Sequence, residues 1–236
     1  MHLSLSSVVS KAEYKKIKAE QNKFSAHAHP KVYDWNWKSK NFNRIALVNH
    51  LIASTGGWQS NYLEIGCAEN DLFDAVAAEK KTGVDPAQGG THRMTSDDFF
   101  RSNTDEFDVI FIDGLHEYQQ VRRDALNALQ VVKAGGWIAF HDFLPSSWLE
   151  HHVPQLQGMW TGDCWKLAVE LAEAEGVEFR ILEIDNGVGL MKKTSNDWNV
   201  PNMSEELLNA EFDVFVEKVQ KFPLIDFAEA ISFIEN

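Results

Sequence analysis

Residues 107–144 read FDVIFIDGLHEYQQVRRDALNALQVVKAGGWIAFHDFL, and this stretch decides the fold. An apolar run ends on Asp113, a segment with helical spacing follows, and a second apolar run ends on His141-Asp142. A strand–helix–strand unit of this length predicts two parallel strands that are buried on both faces. The ligand crevice of such a sheet lies beyond the carboxyl ends of its strands. We therefore expect Asp113, His116 and the His141-Asp142 pair to converge on one small volume.

The predicted sheet extends on both sides of this unit. Further strands are expected at 61–65, 82–85 and 93–96 before it, and at 177–184 and 187–191 after it. The turn Asp185-Asn186-Gly187 between the last two runs is a strong hairpin signal. Helices are expected at 8–24, 44–54, 72–78 and 118–132, and a further one ends at 175. Ser6 or Ser7 would cap the first of these helices, and Thr161 or Asp163 would cap the last. The pattern predicts five parallel strands followed by an antiparallel pair in an α/β fold.

The length of 236 residues suits one α/β domain with terminal additions. We expect an N-terminal helical and irregular arm at 1–43, the main domain at 44–194 and a C-terminal helical extension at 195–236. Residues 1–44 carry nine Lys and Arg against three Asp and Glu, although the whole chain has a net charge of −13. Such a basic arm suits docking on its own domain, on a second subunit or on an acidic substrate, and a solvated helix face is the simplest interpretation.

The amino-acid composition narrows the classes of protein to which this chain is expected to belong. A net charge of −13 argues against nonspecific nucleic-acid binding, which requires neutralisation of phosphates. Cys67 and Cys164 lie far apart and suggest neither a disulfide framework nor a zinc site. The N-terminus lacks the pattern of a signal peptide, and no stretch approaches the roughly 20 apolar residues that a membrane span needs. We expect a cytoplasmic protein that makes no membrane contact.

The strand at 61–65 leads into Glu64-x-Gly66, a turn and a helix, which is typical of a nucleotide-binding loop. The dinucleotide fingerprint GxGxxG is absent, because Ala68 and Asp71 stand where its second and third glycines would be. Asp85 ends the next strand, where a carboxylate can accept both hydroxyls of a ribose. An ordinary cap before Pro86 is the alternative for this residue.

Six motifs occur in a recognisable order, namely YLEIGCAEND, GVDP, MTSDDFF, FDVIFIDGLHEY, GGWIAFHDF and WTGDCWKL. Over about residues 42–194 they resemble the class I S-adenosylmethionine-dependent methyltransferases, in particular a subgroup found beside glycan and natural-product biosynthesis enzymes. The resemblance implies a Rossmann-like, doubly wound sheet of seven strands, mostly parallel with the last strand antiparallel, and helices on both faces.

The resemblance also implies S-adenosylmethionine as the cofactor. Gly66, Cys67 and Ala68 would lie beside its methionine part, with Asp113 bordering it and Glu64 shaping the loop or binding the ammonium group. Asp85 would bind the ribose, and Ser96-Asp97 would lie near the adenine. The family usually has glycine where Asn70 stands, and asparagine tolerates a left-handed backbone better than other residues do, so we expect the loop to keep its shape.

Asp113-x-x-His116 carries the expected chemistry. Methyl transfer to a hydroxyl needs removal of its proton, and histidine titrates near neutral pH. The spacing resembles metal-dependent O-methyltransferases of the macrolide-sugar and catechol types, which place an acidic metal ligand here, a base three residues later and further ligands after the next strand. Asp113, His141 and Asp142 would then hold Mg²⁺ or another divalent metal.

His141 departs from this resemblance, since an acidic or amide ligand is usual there. Imidazole suits Zn²⁺, Fe²⁺ or Mn²⁺ better than Mg²⁺. The alternative to metal binding is that Asp113 only orients the loop or cofactor and that His141 forms a local hydrogen bond.

The sequence thus predicts an S-adenosylmethionine-dependent enzyme, most simply an O-methyltransferase with His116 as base acting on a small-molecule or glycan-type acceptor. A nicotinamide-dependent oxidoreductase is the first alternative, and the missing GxGxxG disfavours it. A non-catalytic cofactor-binding or scaffold protein is the second, supported by Asn70 and His141 alone. The apolar C-terminal helices suit either a cover for the sheet edge or the interface of a homodimer.

Overall fold

One seven-stranded sheet runs through the part of the chain that the computed structural model describes, residues 11–236. The strands are β1 (Asn61–Ile65), β2 (Lys80–Val84), β3 (Phe107–Ile112), β4 (Val132–Phe140), β5 (Val177–Leu182), β6 (Val188–Lys193) and β7 (Leu224–Ile225). Their order is β2-β1-β3-β4-β6-β5-β7, and only β6 runs antiparallel to its neighbours. The predicted fold class, a mostly parallel α/β sheet of Rossmann type with seven strands and one antiparallel strand, is confirmed. The antiparallel strand is the sixth along the chain and not the last, because β7 follows it and pairs in parallel with β5.

Helices cover both faces of the sheet. They are α1 (Lys11–Lys23), α2 (Arg44–Thr55), α3 (Asp71–Ala75), α4 (Ser96–Ser102), α5 (Tyr118–Val131), α6 (Trp148–His151), α7 (Trp165–Leu171), α8 (Ser204–Leu207), α9 (Phe212–Lys218) and α10 (Phe227–Glu235). Apolar residues of α5, α7 and α9 pack into one core cluster, and those of α2, α3 and α10 pack into the other. Neighbouring strand residues face opposite clusters, as Ile110 and Phe111 do, which is the alternation expected of a pleated strand.

The register of the central strands positions the candidate site. Ile112 at the end of β3 pairs with Ile65 of β1 on one side and with Phe140 of β4 on the other. Phe140 also pairs with Gly189 near the start of β6. The residues after β1, β3 and β4 and the turn before β6 therefore lie at the same edge of the sheet.

The predicted strand at 93–96 is wrong. Only one isolated bridge, between Val84 and His92, forms beside β2, and helix α4 begins at Ser96. The side chain of Thr95 accepts a hydrogen bond from the N–H of Asp98 and so caps this helix. The seventh strand is instead β7, which lies in the predicted C-terminal extension and pairs in parallel with β5.

Several predicted bounds also change. Helix α3 ends at Ala75, α7 covers only Trp165–Leu171, and β4 begins at Val132, before the two glycines that were expected to precede it. Neither Thr161 nor Asp163 caps α7, because the hydroxyl of Thr161 donates to Glu150 and Asp163 accepts the N–H of Tyr118. The predicted caps of the first helix, Ser6 and Ser7, lie outside the described residues.

The aromatic segment of the arm is anchored to the main domain. The indole N–H of Trp35 donates to the carbonyl of Pro145 at 3.3 Å, and the backbone N–H of Tyr33 donates to Ser146 at 2.8 Å. Both cysteines, Cys67 and Cys164, are buried and free. Within residues 11–236, every helix is too short or too polar to span a bilayer.

Candidate active site

Three polar side chains follow the carboxyl ends of two neighbouring strands. Asp113 follows β3, and His141 and Asp142 follow β4. The N–H of His141 donates to the carbonyl of Ile112 at 3.0 Å, so the two strand ends stay side by side. Asp142 adopts a left-handed backbone with φ 66°, a strained conformation of the kind that clusters at functional sites.

Two carboxylates and two imidazoles alternate around this site. Oδ1 of Asp113 lies 3.1 Å from Nε2 of His116 and 3.2 Å from Nδ1 of His141. Oδ1 of Asp142 lies 3.2 Å from the same Nδ1 of His141, and its Oδ2 lies 3.0 Å from Nδ1 of His116. The structure therefore brings together the four residues that were expected to converge.

The mutual attraction of these groups outweighs their burial. Burial alone would raise the pKa of Asp113, but His141 and His116 beside it hold that pKa well below its usual range. Burial alone would lower the pKa of both imidazoles, but the two carboxylates raise the pKa of His116 and raise that of His141 further. Without a bound cation, this attraction favours the ionised form of Asp113 and the protonated forms of His116 and His141.

The same cluster has the donor set of a cation site. One atom each from Asp113, His141 and Asp142 lie within 4.8 Å of one another, and this is the group of possible metal ligands found in residues 11–236. Nδ1 and Nε2 of His141 and Oδ1 of Asp142 are buried without a well-directed hydrogen bond. Buried polar atoms are rarely left unpaired, so these atoms fit an ion better than they fit one another. The set coincides with the predicted ligands.

His116 is held from outside the cluster by the segment before α7. Its Nδ1 lies 3.1 Å from the carbonyl oxygen of Trp160, and the indole ring of Trp160 stacks on its imidazole ring. A β-carbon on Gly162 would overlap the carbonyl oxygen of His116. Asp163 Oδ1 accepts the backbone N–H of Tyr118 at 2.6 Å, which fixes the chain just after His116.

A second layer lies on the far side of His141. Nε2 of His141 lies 3.7 Å from Oδ2 of Asp185, in the turn between β5 and β6. The guanidinium of Arg44, the first residue of α2, donates to the same oxygen at 2.7 Å. No motif in the sequence marked Arg44 or Asp185 as a site residue.

A cavity beside the cluster contains much of the predicted cofactor site. Its lining residues are Arg44, Glu64, Gly66, Cys67, Ala68, Glu69, Asp71, Leu72, Phe111 and Asp113. Gly66 has φ 85°, and a β-carbon there would overlap the backbone carbonyl of Asp113, so glycine is required by both conformation and space. Asp113 thus borders both the cavity and the cation site.

Glu64 is a buried acid in this cavity. The hydroxyl of Tyr62 donates to its Oε2 at 2.5 Å. Burial raises the pKa of Glu64 to about 7, although the hydrogen bond from Tyr62 and the charge of Arg44 work in the opposite direction. The carboxyl therefore loses its proton less readily than a free glutamate does, and a nearby cation would favour its ionised form.

Asp85 ties the cofactor loop to the turn after β2. Its Oδ2 accepts the N–H of Ala68 at 3.0 Å, and its Oδ1 accepts the N–H groups of Ala87 and Gln88 at 2.7 and 2.9 Å. Burial opposes ionisation, but these hydrogen bonds and Arg93 lower its pKa overall. About one of its roughly four acceptor positions remains open to a ribose hydroxyl.

Two other predicted features lie around the loop. Asn70 has φ 68°, so it adopts the left-handed backbone expected of it, and its Oδ1 accepts the N–H of Gly90 at 2.7 Å. Ser96 and Asp97 begin α4, where the side-chain amide of Gln120 contacts Ser96 Oγ at 3.1 Å and Asp97 Oδ1 at 3.3 Å. Neither Ser96 nor Asp97 lines the cavity.

Comparison with known proteins matches this chain to one family. A family model described as a methyltransferase domain matches residues 26–143, half of the chain. No curated protein sequence matches it.

Comparison with solved structures finds similar proteins at low identity. A Corynebacterium glutamicum protein is 12% identical (TM-score 0.46), covering 79% of this chain and 91% of its own. An O-methyltransferase from Bacillus cereus, in complex with S-adenosylhomocysteine, is 13% identical (TM-score 0.45; 79% and 92% covered). A mycinamycin-pathway methyltransferase, in complex with Mg, S-adenosylhomocysteine and mycinamycin VI, is 15% identical (TM-score 0.41; 62% and 48% covered).

Proposed function

This chain belongs to the methyltransferase-domain family and is a class I S-adenosylmethionine-dependent methyltransferase, and we propose that it methylates a hydroxyl group of a small or sugar-containing acceptor. The observation that supports this most directly is the position of His116. His116 lies 3.1 Å from Asp113, and Asp113 lines the same cavity as the loop residues Gly66 and Ala68. A base therefore stands beside the place where the methyl donor is expected.

The proposed reaction needs the acceptor oxygen to lose its proton as it takes the methyl group. S-adenosylmethionine supplies that group on a sulfonium sulfur, so a C–S bond breaks, an O–C bond forms and S-adenosylhomocysteine leaves. The acceptor proton passes to His116, whose imidazole is the base. The reaction itself consumes no oxidant or reductant.

Trp160 and Asp113 indicate which nitrogen of His116 accepts the proton in the proposed reaction. Both nitrogens face groups that only accept hydrogen bonds: Nδ1 faces Trp160 and Asp142, and Nε2 faces Asp113. The arrangement is that of the imidazolium form, the form that follows proton transfer. Because Nδ1 keeps its proton on the carbonyl of Trp160, Nε2 is the nitrogen that accepts the proton of the acceptor.

Asp113, His141 and Asp142 are the residues that would hold a divalent cation. Bound there, it would supply Lewis-acid chemistry by orienting the acceptor oxygens and lowering the pKa of the hydroxyl. The positive charge would also weaken the hold of the two carboxylates on the His116 proton and so lower the pKa of His116.

The motif resemblance and the charge of the chain support the acceptor class that we propose. We infer a small-molecule or glycan-type acceptor, in line with the motif resemblance to the glycan and natural-product subgroup. The net charge of −13 supports this over a nucleic acid.

The test measures cofactor binding, the metal dependence of turnover and the contribution of the base separately. Metal-stripped protein is titrated with S-adenosylmethionine by calorimetry, and methyl transfer to a panel of sugars, glycosides and catechols is followed by the S-adenosylhomocysteine formed, with and without Mg²⁺, Mn²⁺ or Co²⁺. We expect cofactor binding without metal, turnover that requires metal, and a loss of about 10²–10⁴-fold in kcat for His116→Gln.

His50→Gln is the matched control, because His50 lies on α2 and pairs with Glu235 of α10. It should keep the wild-type rate. Cofactor binding together with methylation of amines but no hydroxyl would overturn O-methylation and leave the methyltransferase assignment intact. Metal-independent turnover would remove the cation from the proposal.

A further inference from the structure

We propose that Asp185, fixed by Arg44, is the positioning residue that presents Nδ1 of His141 to the cation at Asp113 and Asp142. This inference rests on the proposed cation site and deepens it. It assigns a role to the hairpin turn between β5 and β6, which supplies no residue to the chemistry itself.

The His141 ring has two distinct sides. Nδ1 lies 3.2 Å from Asp113 Oδ1 and 3.2 Å from Asp142 Oδ1, while Nε2 lies 3.7 Å from Asp185 Oδ2. Both nitrogens lack a well-directed hydrogen bond. An imidazole that binds a metal through one nitrogen carries its proton on the other, and that N–H is usually given to a carboxylate, carbonyl or water. Asp185 is the carboxylate on that side.

Arg44 holds the Asp185 carboxylate in place. Its NH1 donates to Asp185 Oδ2 at 2.7 Å, the same oxygen that faces His141. The acceptor offered to Nε2 of His141 is therefore a carboxylate oxygen that a second side chain holds in place.

The backbone fixes the distance between this carboxylate and the ring. Asp185 and Asn186 have φ 45° and 61°, the left-handed pair of a tight hairpin turn. The N–H of Leu144 donates to the carbonyl of Asn186 at 2.8 Å, and that of Phe143 donates to Gly187 at 3.0 Å. The turn is thus bonded to the two residues that directly follow His141-Asp142.

A gap of 3.7 Å is longer than a hydrogen bond, which closes at about 3 Å. The ring reaches a bonded position by a shift of roughly half an ångström toward the turn. The competing interpretation is an ordinary ion pair between Arg44 and Asp185 that merely stabilises the hairpin. If Asp185 positions His141, its removal lowers metal affinity only while His141 is the ligand. If Asp185 only stabilises the hairpin, the effect of its removal does not depend on His141.

The experiment is a double-mutant cycle on metal affinity. Metal-stripped wild type, Asp185→Ala, Asp185→Asn, His141→Asp and the double variant His141→Asp/Asp185→Ala are titrated with Mn²⁺ by calorimetry. We expect Asp185→Ala to weaken binding by about 10–100-fold in the wild-type background. Asp185→Asn should recover part of this, because its amide oxygen still accepts the N–H. With His141→Asp the ligand is an oxygen that needs no outer acceptor, so Asp185→Ala should cause no further loss.

A spectroscopic measurement accompanies the cycle. The visible spectrum of Co²⁺ reports nitrogen ligation, and we expect its bands to shift in Asp185→Ala because the imidazole is less well fixed. Glu183→Ala is the matched control: Glu183 lies in the same hairpin and pairs with Lys40 at 3.6 Å. It should keep the Mn²⁺ affinity and the Co²⁺ spectrum of the wild type.

Equal losses in both His141 backgrounds, or a similar loss in Glu183→Ala, would show a structural role and overturn the proposal. Wild-type affinity in Asp185→Ala would overturn it as well. If the wild type binds none of these ions, the cation site and this inference both fail, while S-adenosylmethionine binding to the same sample reports separately on the methyltransferase function.

Discussion

Trp160 contacts His116 in two ways. Its carbonyl oxygen lies 3.1 Å from Nδ1 of His116, and its indole ring stacks on the imidazole with centroids 5.3 Å apart and planes inclined by 27°. The first contact favours a proton on Nδ1. The second restricts rotation of the ring, and once His116 has taken up a second proton it sets the imidazolium over an aromatic face, an attraction of about 0.5–2 kcal/mol.

We therefore predict that Trp160→Ala lowers kcat by about 3–30-fold, the equivalent of that attraction, while Trp160→Phe keeps most of the activity. The Ala variant retains the backbone carbonyl but loses both the stacked ring and the indole N–H that donates to the carbonyl of His152 at 2.7 Å. The Phe variant loses only the N–H, so the difference between the two variants reports on the ring. NMR titration should also show a lower pKa for His116 in Trp160→Ala. Trp58→Ala serves as control, since Trp58 is 63% exposed. A wild-type kcat in Trp160→Ala would assign the indole to loop packing.

Gly162 supports the same histidine through the backbone. It has φ 58°, and a β-carbon there would overlap the carbonyl of His116. We predict that Gly162→Ala lowers kcat by at least 10-fold because His116 is displaced from Asp113. Gly135→Ala is matched in backbone strain, with φ 79°, but its β-carbon would meet nothing within 4 Å.

The Gly135 variant should lose about 1–2 kcal/mol of stability and keep its activity. Denaturant unfolding and initial rates, measured on both variants, separate the two effects. Equal activity losses would mean that strain, rather than the collision with His116, decides the outcome.

The sequence predicts the central part of this site because parallel strands impose it. Two apolar runs joined by a helix place Asp113 and His141 at the same sheet edge, whatever the loops do. Arg44 and Asp185 escape such reasoning, since their contact joins residues 141 positions apart and no local pattern marks either one. Their proximity depends on how α2 and the β5–β6 turn meet across the sheet edge.

The error at 93–96 has a local cause. The short run around Met94 suggests a strand, but Thr95 followed by Asp97 and Asp98 is also a helix-start signal, and the cap prevails. The sequence does not predict strand β7, because its two residues, Leu224 and Ile225, are too few to show a period. Its place in the sheet depends on the exposed edge of β5.

Asp124 provides a test of stability against pH. It is 1% exposed on α5, and burial raises its pKa to about 6, while Ser96 and Gln120 oppose the rise. The folded protein thus binds this proton more tightly than the unfolded chain, so this stabilisation is complete below about pH 4 and is lost as pH rises to about 6. We predict that Asp124→Asn, which cannot ionise, is more stable than the wild type at pH 8 by about 2–3 kcal/mol.

Urea unfolding at pH values from 4 to 8 measures this difference. It should grow between pH 4 and pH 6 and level off above. Asp105→Asn, at an exposed position, should follow the wild-type curve. A constant difference at all pH values would show that the amide changes packing instead of charge.

The ionisation of Glu64 predicts how the affinity for the cofactor depends on pH. Its pKa is about 7, raised chiefly by burial, and Tyr62, Arg44, Cys67 and Asp113 are the titratable groups that act on it. We propose that the ammonium group of S-adenosylmethionine lies beside this carboxyl and favours its ionised form, so cofactor binding below pH 7 should release a proton from Glu64. Affinity should therefore rise with pH up to about 7 and become constant above it.

Calorimetry in two buffers of different ionisation enthalpy measures the released proton directly. We expect close to one proton at pH 6 and close to none at pH 8. Glu64→Gln should bind more weakly at pH 8 and lose the pH dependence, because the amide keeps the hydrogen bond from Tyr62 but cannot ionise. Glu69→Gln, on the same cavity wall, is the control and should leave the proton release intact. If Glu64→Gln still releases the proton at pH 6, another group meets the ammonium, and Glu64 only shapes the loop.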